Sequence, residues 1–379
     1  MVIIFAGALG RFPVGGHAWV QLQYLLGLGE LGHDVYFLEE CGEGSWVYNW
    51  ETEQITTDLE YPTNYVRKCL DPVGLGDRWI YRAGDSCLGM DLEKFREVCA
   101  RADLLLVWAS AIPLWRSEYD LPKRRIFIDA DPGFTQFSLA NGDHDLVATT
   151  ARCERLFTIG QRIGTNGCPI PTLGREWRKT VSPVLLSHWL SARDGDAKYF
   201  TSIMQWRSYK DVSCNGVKYE NKASEFPKFI DLPGSTKQPF LLALTGGQPQ
   251  ELATYGWEVT AGWVASRTPQ AYRNFIQTSR AEFGVAKHGY VQTRGGWFSD
   301  RSACYLASGR PILVQDTGQA EWLPTGEGLL IFRDRSDALK GIEKINADYD
   351  YHCRRARALA EEYFASDVVL TRLLEEAFA

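Results

Sequence analysis

The sequence predicts an α/β protein built from two facing, doubly wound parallel-sheet domains with helices at its C-terminus. Three observations predict it. At 379 residues the chain exceeds what one ordinary core organises. Two separate series of short apolar runs, one ending near residue 159 and one starting near 199, alternate with helical patterns. A glycine-rich loop also follows the first run, where parallel-sheet units carry their ligand loops. The expected divisions are residues 1–192, residues 193–360, and a terminal helix over 361–379 that packs back on the first domain.

In chain order, Val2 to Ala8 is an apolar run that reads as a buried strand, and Gly10 to Gly16 is a loop. Trp19, Leu22, Leu25, Leu26 and Leu28 then recur at helical spacing, Gly32 stops that helix, and Val35 to Leu38 is the next strand. Leu104 to Trp108, Arg125 to Ile128 and Leu156 to Ile159 complete the first series. From 161 to 192 the chain is rich in proline and glycine and loses periodicity, as an interdomain segment does. The second series has strands at Tyr199 to Trp206, Phe240 to Leu244, Trp257 to Trp263, Phe283 to Ala286, Pro311 to Val314 and Gly328 to Phe332. Helices fit at 223–231, about 269–279 and 299–308, and Ser336 to Ala379 reads as nearly continuous helix.

Composition narrows the class. With 45% apolar and 23% charged residues the chain is globular rather than disordered. A net charge of −6 supplies no global basic field, so a polyanionic partner would need a local basic groove. The 13 tryptophans are read as packing residues ahead of stacking platforms. Nine cysteines, an odd number without CxxC spacing, read as reduced thiols rather than a disulfide framework or a metal site, which points to the cytoplasm. No basic stretch precedes the first strand and no apolar run approaches about 18 residues, so neither a signal peptide nor a membrane span is expected.

The most informative segment runs from Gly295 to Gly318. The pair Gly295-Gly296 lets backbone approach a ligand closely. Ser299 suits the N-cap of a helix whose first N–H groups face an anion, with Ser302 one turn in. Arg301 adds a fixed charge able to pair with phosphate. Gly309 ends the helix, and the strand from Pro311 ends at Gln315 and Asp316.

This segment resembles the donor-binding region of GT-B glycosyltransferases, the nucleotide-sugar-dependent enzymes built from two Rossmann-like domains. There a glycine-rich loop opens a helix, an Ala-x-Gly-x-Pro turn follows, and a strand ends in polar residues near the sugar. Leu323 to Leu329 resembles the family's next loop. The sequence departs where most relatives carry a glutamate that holds the ribose, because Cys304 falls nearest that position and leaves ribose binding unassigned. In retaining members an arginine and a lysine after the domain's first strand hold the diphosphate, and Arg207 and Lys210 resemble that pair. Thr245 and Gly246, after the second strand, could also admit phosphate.

Phe12 to His17 resembles the Pro-x-x-Gly-His motif of inverting UDP-sugar enzymes, with Gly15 and Gly16 beside the donor. A histidine at a helix start titrates near neutrality and is kept neutral by the helix N-terminus, so His17 suits a general base. In the family an aspartate orients that base, and Asp129 and Asp131 are the candidates. The same Asp-x-Asp imitates a metal motif of a different glycosyltransferase fold, and no metal is expected here.

The resemblance implies transfer of a sugar from a nucleoside-diphosphate sugar, a UDP-sugar, to an unidentified acceptor hydroxyl with inversion, and no other cofactor. Residues 1–192 would bind the acceptor and 193–360 the donor. The alternatives are a nucleotide-sugar 2-epimerase, a glycosyltransferase acting on nucleic-acid bases, and a binding protein without catalysis. A nucleic-acid acceptor stays open.

Overall fold

The strand Val2–Gly7 is buried from Ile3 onward because it lies inside an eight-stranded sheet. In this computed structural model, which describes residues 1–52, 54–190, 197–208 and 210–379, that sheet has a defined order. It runs Trp177–Lys179, Arg155–Thr158, Arg124–Asp129, Leu104–Trp108, Val2–Gly7, Asp34–Glu40, Trp79–Ala83 and Ser86–Gly89, parallel except for the last pair. Strands covered on both faces read as continuous apolar runs, which is why the central five were legible in sequence. The strand Trp79–Ala83, next to last in that order, was not, because it carries Arg82. That guanidinium is buried with the Glu118 carboxylate, so the charge that breaks the apolar pattern is neutralised only in the fold.

The second sheet is wholly parallel, ordered Glu258–Ala261, Phe240–Thr245, Phe200–Gln205, Ala281–Gly284, Ile312–Gln315 and Leu329–Phe332. Counted within the domain this is 3-2-1-4-5-6, and its order reverses between Phe200–Gln205 and Ala281–Gly284. Two sequence expectations are corrected, and the nearly continuous terminal helix divides into three segments. The run to Trp263 is a strand only as far as Ala261, and Gly262–Ser266 is a short helix. Residues 223–231 form 3-10 turns, Lys222–Ser224 and Phe226–Phe229, rather than one α-helix, because Pro227 interrupts the backbone donors. The terminal stretch is three helices, Arg335–Ala347, Tyr349–Tyr363 and Ser366–Phe378, separated at Asp348 and Ala365. Asp348 caps the second by accepting from Tyr351 N.

The helix Gly15–Glu30 sits between both halves. Its Trp19 Nε1 donates to the Pro269 carbonyl at 2.6 Å, at the start of the helix Pro269–Gln277. Its other side meets the helix Ser366–Phe378 so closely that a Cβ on Gly27 would come within 2.6 Å of Leu370. The crossing segment is pinned where Val184 N donates to Phe364 O at 2.7 Å and Ser366 N to Val184 O at 3.0 Å. Trp19, Leu22 and Leu25 share one core cluster with Tyr272, Ile276 and Leu370, each side chain contributing about 1.5–3 kcal/mol of burial. The expected boundary at 192–193 lies outside the described residues. Among the described residues no helix is long and apolar enough to cross a membrane, and all nine cysteines are free.

Candidate functional site

In doubly wound sheets ligands bind beyond the strand carboxyl ends where the strand order reverses. A small cavity of about 20 Å³ lies beside that reversal, at the carboxyl ends of Ala281–Gly284 and Ile312–Gln315, lined by Ala286, Ser299, Arg301, Ser302, Gln315 and Thr317 among others. Ser299 immediately precedes the helix Asp300–Ala307 and its hydroxyl makes no capping bond. Arg301 is held from below: Nε donates to Glu282 Oε1 at 2.7 Å and Nη1 to the Ile203 carbonyl at 3.0 Å. Glu282 has no exposed surface, and its second oxygen is buried without a hydrogen-bond partner among the described residues.

Two lysines missed in the sequence add to this charge. Desolvation pulls Lys222 well below the usual lysine range, and the charges of Arg301 and Lys287 act in the same direction. Lys287 follows the cavity residue Ala286 and is also depressed by burial, with Asp131 opposing. Lys222 opens a 3-10 turn at no recognisable motif, so only the fold brings it near Arg301.

The remaining donor-side candidates separate. Gln315 lines the cavity, but its amide is engaged: Oε1 accepts from Ala286 N at 3.1 Å and Nε2 donates to Glu225 at 2.7 Å. Asp316 is clamped by Arg294 at 2.6 Å and Arg333 at 2.7 Å, and its carboxyl is held below the usual range. Arg207 and Lys210 are exposed and form no ion pair among the described residues. Thr245 and Gly246 lie by Trp206, outside the cavity lining. Both glycine pairs serve the joint between the halves. A Cβ on Gly15 would approach Thr268 O to 2.2 Å and one on Gly16 would meet the Tyr272 ring at 2.8 Å. At the other joint a Cβ on Gly296, where φ is +76°, would reach Arg162 N at 3.1 Å, and Gly295 O accepts from that nitrogen at 3.0 Å.

His17 is the third residue of the helix Gly15–Glu30, between the rings of Phe12 and Trp108 at 5.0 and 5.1 Å. Its pKa is lowered to about 4, chiefly by desolvation and then by Arg11. Its Nδ1 lies 2.9 Å from Gln21 Nε2. Glu39 braces the same loop, accepting from Gly10 N and Arg11 N at 2.7 Å each, and burial pushes its carboxyl up to about 7. Among the described residues neither aspartate is bonded to His17. Asp129 accepts from Gln136 at 2.8 Å, Thr158 at 2.7 Å and Asp131 N at 3.0 Å, which occupies both oxygens. Asp131 meets Lys287 at 3.4 Å and the Tyr290 hydroxyl across the domain joint. No group of side chains suited to a metal occurs among the described residues.

No protein-family model matches the sequence, and no curated protein matches it. Solved structures do match. An alpha-glucosyltransferase in complex with UDP and a 13-mer DNA aligns at a TM-score of 0.59 with 10% identity, over 100% of this chain and 99% of that one. HepE from Anabaena in complex with UDP aligns at 0.58 with 10% identity, over 99% of each chain. The sucrose-phosphate synthase of Thermosynechococcus elongatus aligns at 0.54 with 11% identity, over 99% and 98%. The chain has the GT-B fold. Its joint between the halves is therefore the cleft of a GT-B protein, and the cavity under Arg301 lies on the C-terminal side of it.

Proposed function

We propose that this GT-B protein is a glycosyltransferase that binds a UDP-sugar on its C-terminal half and transfers the sugar to an acceptor hydroxyl. One observation carries the reading: Ser299, Ser302 and Arg301 line a cavity at a helix N-terminus, and Lys222, whose ammonium is disfavoured by burial, lies close enough to feel the charges of Arg301 and Lys287. Desolvated cations that repel one another and face backbone N–H groups suit a diphosphate, whose charge grows as the sugar departs. UDP in the alpha-glucosyltransferase and HepE structures supports the same donor class. Lys222 and Arg301 would hold the phosphates, with Gln315 and Asp316 towards the sugar, and Arg207 and Lys210 remain exposed candidates for the same diphosphate. The Asp129-x-Asp131 pair is committed to protein contacts, which supports a metal-independent reaction.

The motif at residues 12–17 favours inversion, with His17 as base. A specific observation favours a second reading, retention. Gln21 Oε1 accepts from Ala8 N at 2.6 Å, so the Gln21 amide is oriented with Nε2 towards His17. His17 Nδ1 must then accept, and the neutral ring carries its proton on Nε2 as a hydrogen-bond donor.

The test is a thermal-shift comparison of UDP with other nucleoside diphosphates, followed by incubation with UDP-sugars and NMR of the product anomer. Stabilisation by UDP and sugar transfer are expected. Failure of every nucleotide to bind, or conversion of the donor to an epimer, would overturn the proposal.

A further inference from the structure

The strands Val2–Gly7 and Asp34–Glu40 are parallel neighbours, so their carboxyl ends lie on the same side of the sheet. Beyond Glu40 the chain forms two short antiparallel strands, Val47–Asn49 and Gln54–Thr56, with Tyr48 opposite Ile55. Side chains alternate along a strand, so Val47 turns inward with no exposed surface while Trp46, Tyr48 and Ile55 turn outward. Those three are 73%, 40% and 68% exposed. Trp50, next on the outward side, meets the Tyr48 ring edge-on at 4.7 Å. A half-buried antiparallel pair ordinarily places polar side chains on its wet face; this one places rings there.

The pair is anchored to the glycine loop that carries His17. Ser45 Oγ lies 2.6 Å from Tyr81 OH, and Trp50 N donates to Tyr61 OH at 3.2 Å. A Cβ on Gly10 would touch both Pro62 and Tyr81 at 3.0 Å. Its electrostatic setting is one-signed. From Glu43 to Tyr65 the sequence holds acidic side chains and no lysine, arginine or histidine. Glu43, Glu51, Asp58 and Glu60 are exposed, and none forms an ion pair among the described residues.

Flat aromatic faces take rings by stacking and ammonium groups by cation–π attraction. Unpaired carboxylates around them repel a phosphodiester chain and concentrate cations. We propose that Trp46, Tyr48 and Ile55 form an acceptor platform for a saccharide that carries ammonium groups. From Trp46 to Trp50 the platform runs about 14 Å at about 3.4 Å per residue, long enough for more than one sugar ring. The inference rests on the glycosyl-transfer reading and names the acceptor class for it.

The experiment titrates the full chain with glucosamine oligomers at pH 6 and low salt, following tryptophan fluorescence. N-acetylated oligomers, a single-stranded oligonucleotide and a lysine-rich peptide run in parallel. The glucosamine oligomer should bind about tenfold more tightly than its N-acetylated counterpart and lose about tenfold in Trp46→Ala, with a smaller loss in Glu51→Gln/Asp58→Asn. Equal binding of the neutral oligomer, preference for the oligonucleotide or the peptide, or no binding at all would overturn it. So would a dimer on size exclusion that Trp46→Ala dissociates, since the face would then be a contact between copies. UDP binding, measured by thermal shift on the wild-type protein, reads the donor site separately. UDP binding without oligomer binding removes the platform alone, whereas oligomer binding without UDP binding removes the transfer reading and leaves the platform.

Discussion

Gln21 and His17, one helical turn apart, are locked in a single hydrogen-bonding sense. Ala8 N donates to Gln21 Oε1 at 2.6 Å, and Gln21 Nε2 therefore donates to His17 Nδ1 at 2.9 Å. The amide also donates to His17 O at 3.0 Å, and Gln21 has no exposed surface. A ring held this way carries its proton on Nε2, the Ala8 backbone is a further hydrogen-bond partner of the ring, and among the described residues no carboxylate is bonded to it.

His17→Gln should separate the two roles. A glutamine amide can donate as Nε2–H does but cannot take a proton. If His17 is a donor, kcat should fall by less than about tenfold; loss of a base costs roughly 10²–10⁴-fold. Steady-state rates of this variant, read with the anomeric configuration of the product, decide between retention and inversion.

The pH dependence has a definite sign. His17 titrates at about 4 in the folded protein against an ordinary 6.5, so between these values the unfolded chain binds the proton first. Its contribution to stability is present above pH 6.5 and is lost as pH falls towards 4, by up to about 1.4 kcal/mol per pH unit. Glu39 runs the other way: raised to about 7, it favours the folded state at low pH and loses that contribution as pH rises from its ordinary range through 7. Denaturant midpoints of wild type and His17→Gln at each pH should therefore diverge only between pH 6.5 and 4, since Glu39 is common to both.

Arg301→Ala should be costly for folding whatever the ligand. It would leave Glu282 buried without its cation, and breaking such a pair costs about 3–5 kcal/mol. The donor role is better read in Arg301→Gln combined with Glu282→Gln, which removes both charges. That double variant should melt closer to wild type than Arg301→Ala while binding UDP less tightly by calorimetry. Undiminished UDP affinity would take Arg301 out of the site.

Lys222→Met should leave the melting temperature unchanged or raised, since the ammonium is disfavoured where it sits. Its loss should weaken UDP binding by about 1.5–3 kcal/mol, the scale of one hydrogen bond to a charged group. A fall in stability with unchanged UDP binding would make the lysine structural.

Turnover should survive EDTA. Asp129 is consumed by Gln136, Thr158 and the Asp131 amide, and Asp131 by Lys287 and Tyr290. Loss of activity restored by manganese or magnesium would contradict this.

The sequence by itself determined the two-sheet architecture, because strands buried on both faces must be apolar along their length, as Ile3 to Ala6 and Leu104 to Val107 are. It also determined the glycine loop before His17, since close approach of backbone demands glycine. Residues that acquire their meaning only across the fold were beyond it. Arg82 reads as a surface charge until Glu118 neutralises it, and Lys222 reads as an ordinary turn residue until Arg301 and Lys287 lie near. Gly15, Gly16 and Gly296 are glycines in either view, yet what presses on them is Thr268, Tyr272 and Arg162 from the opposite half. The proton on His17 was decided last, by a backbone N–H at Ala8 acting through Gln21, because a tautomer is set by the direction of hydrogen bonds and not by residue spacing.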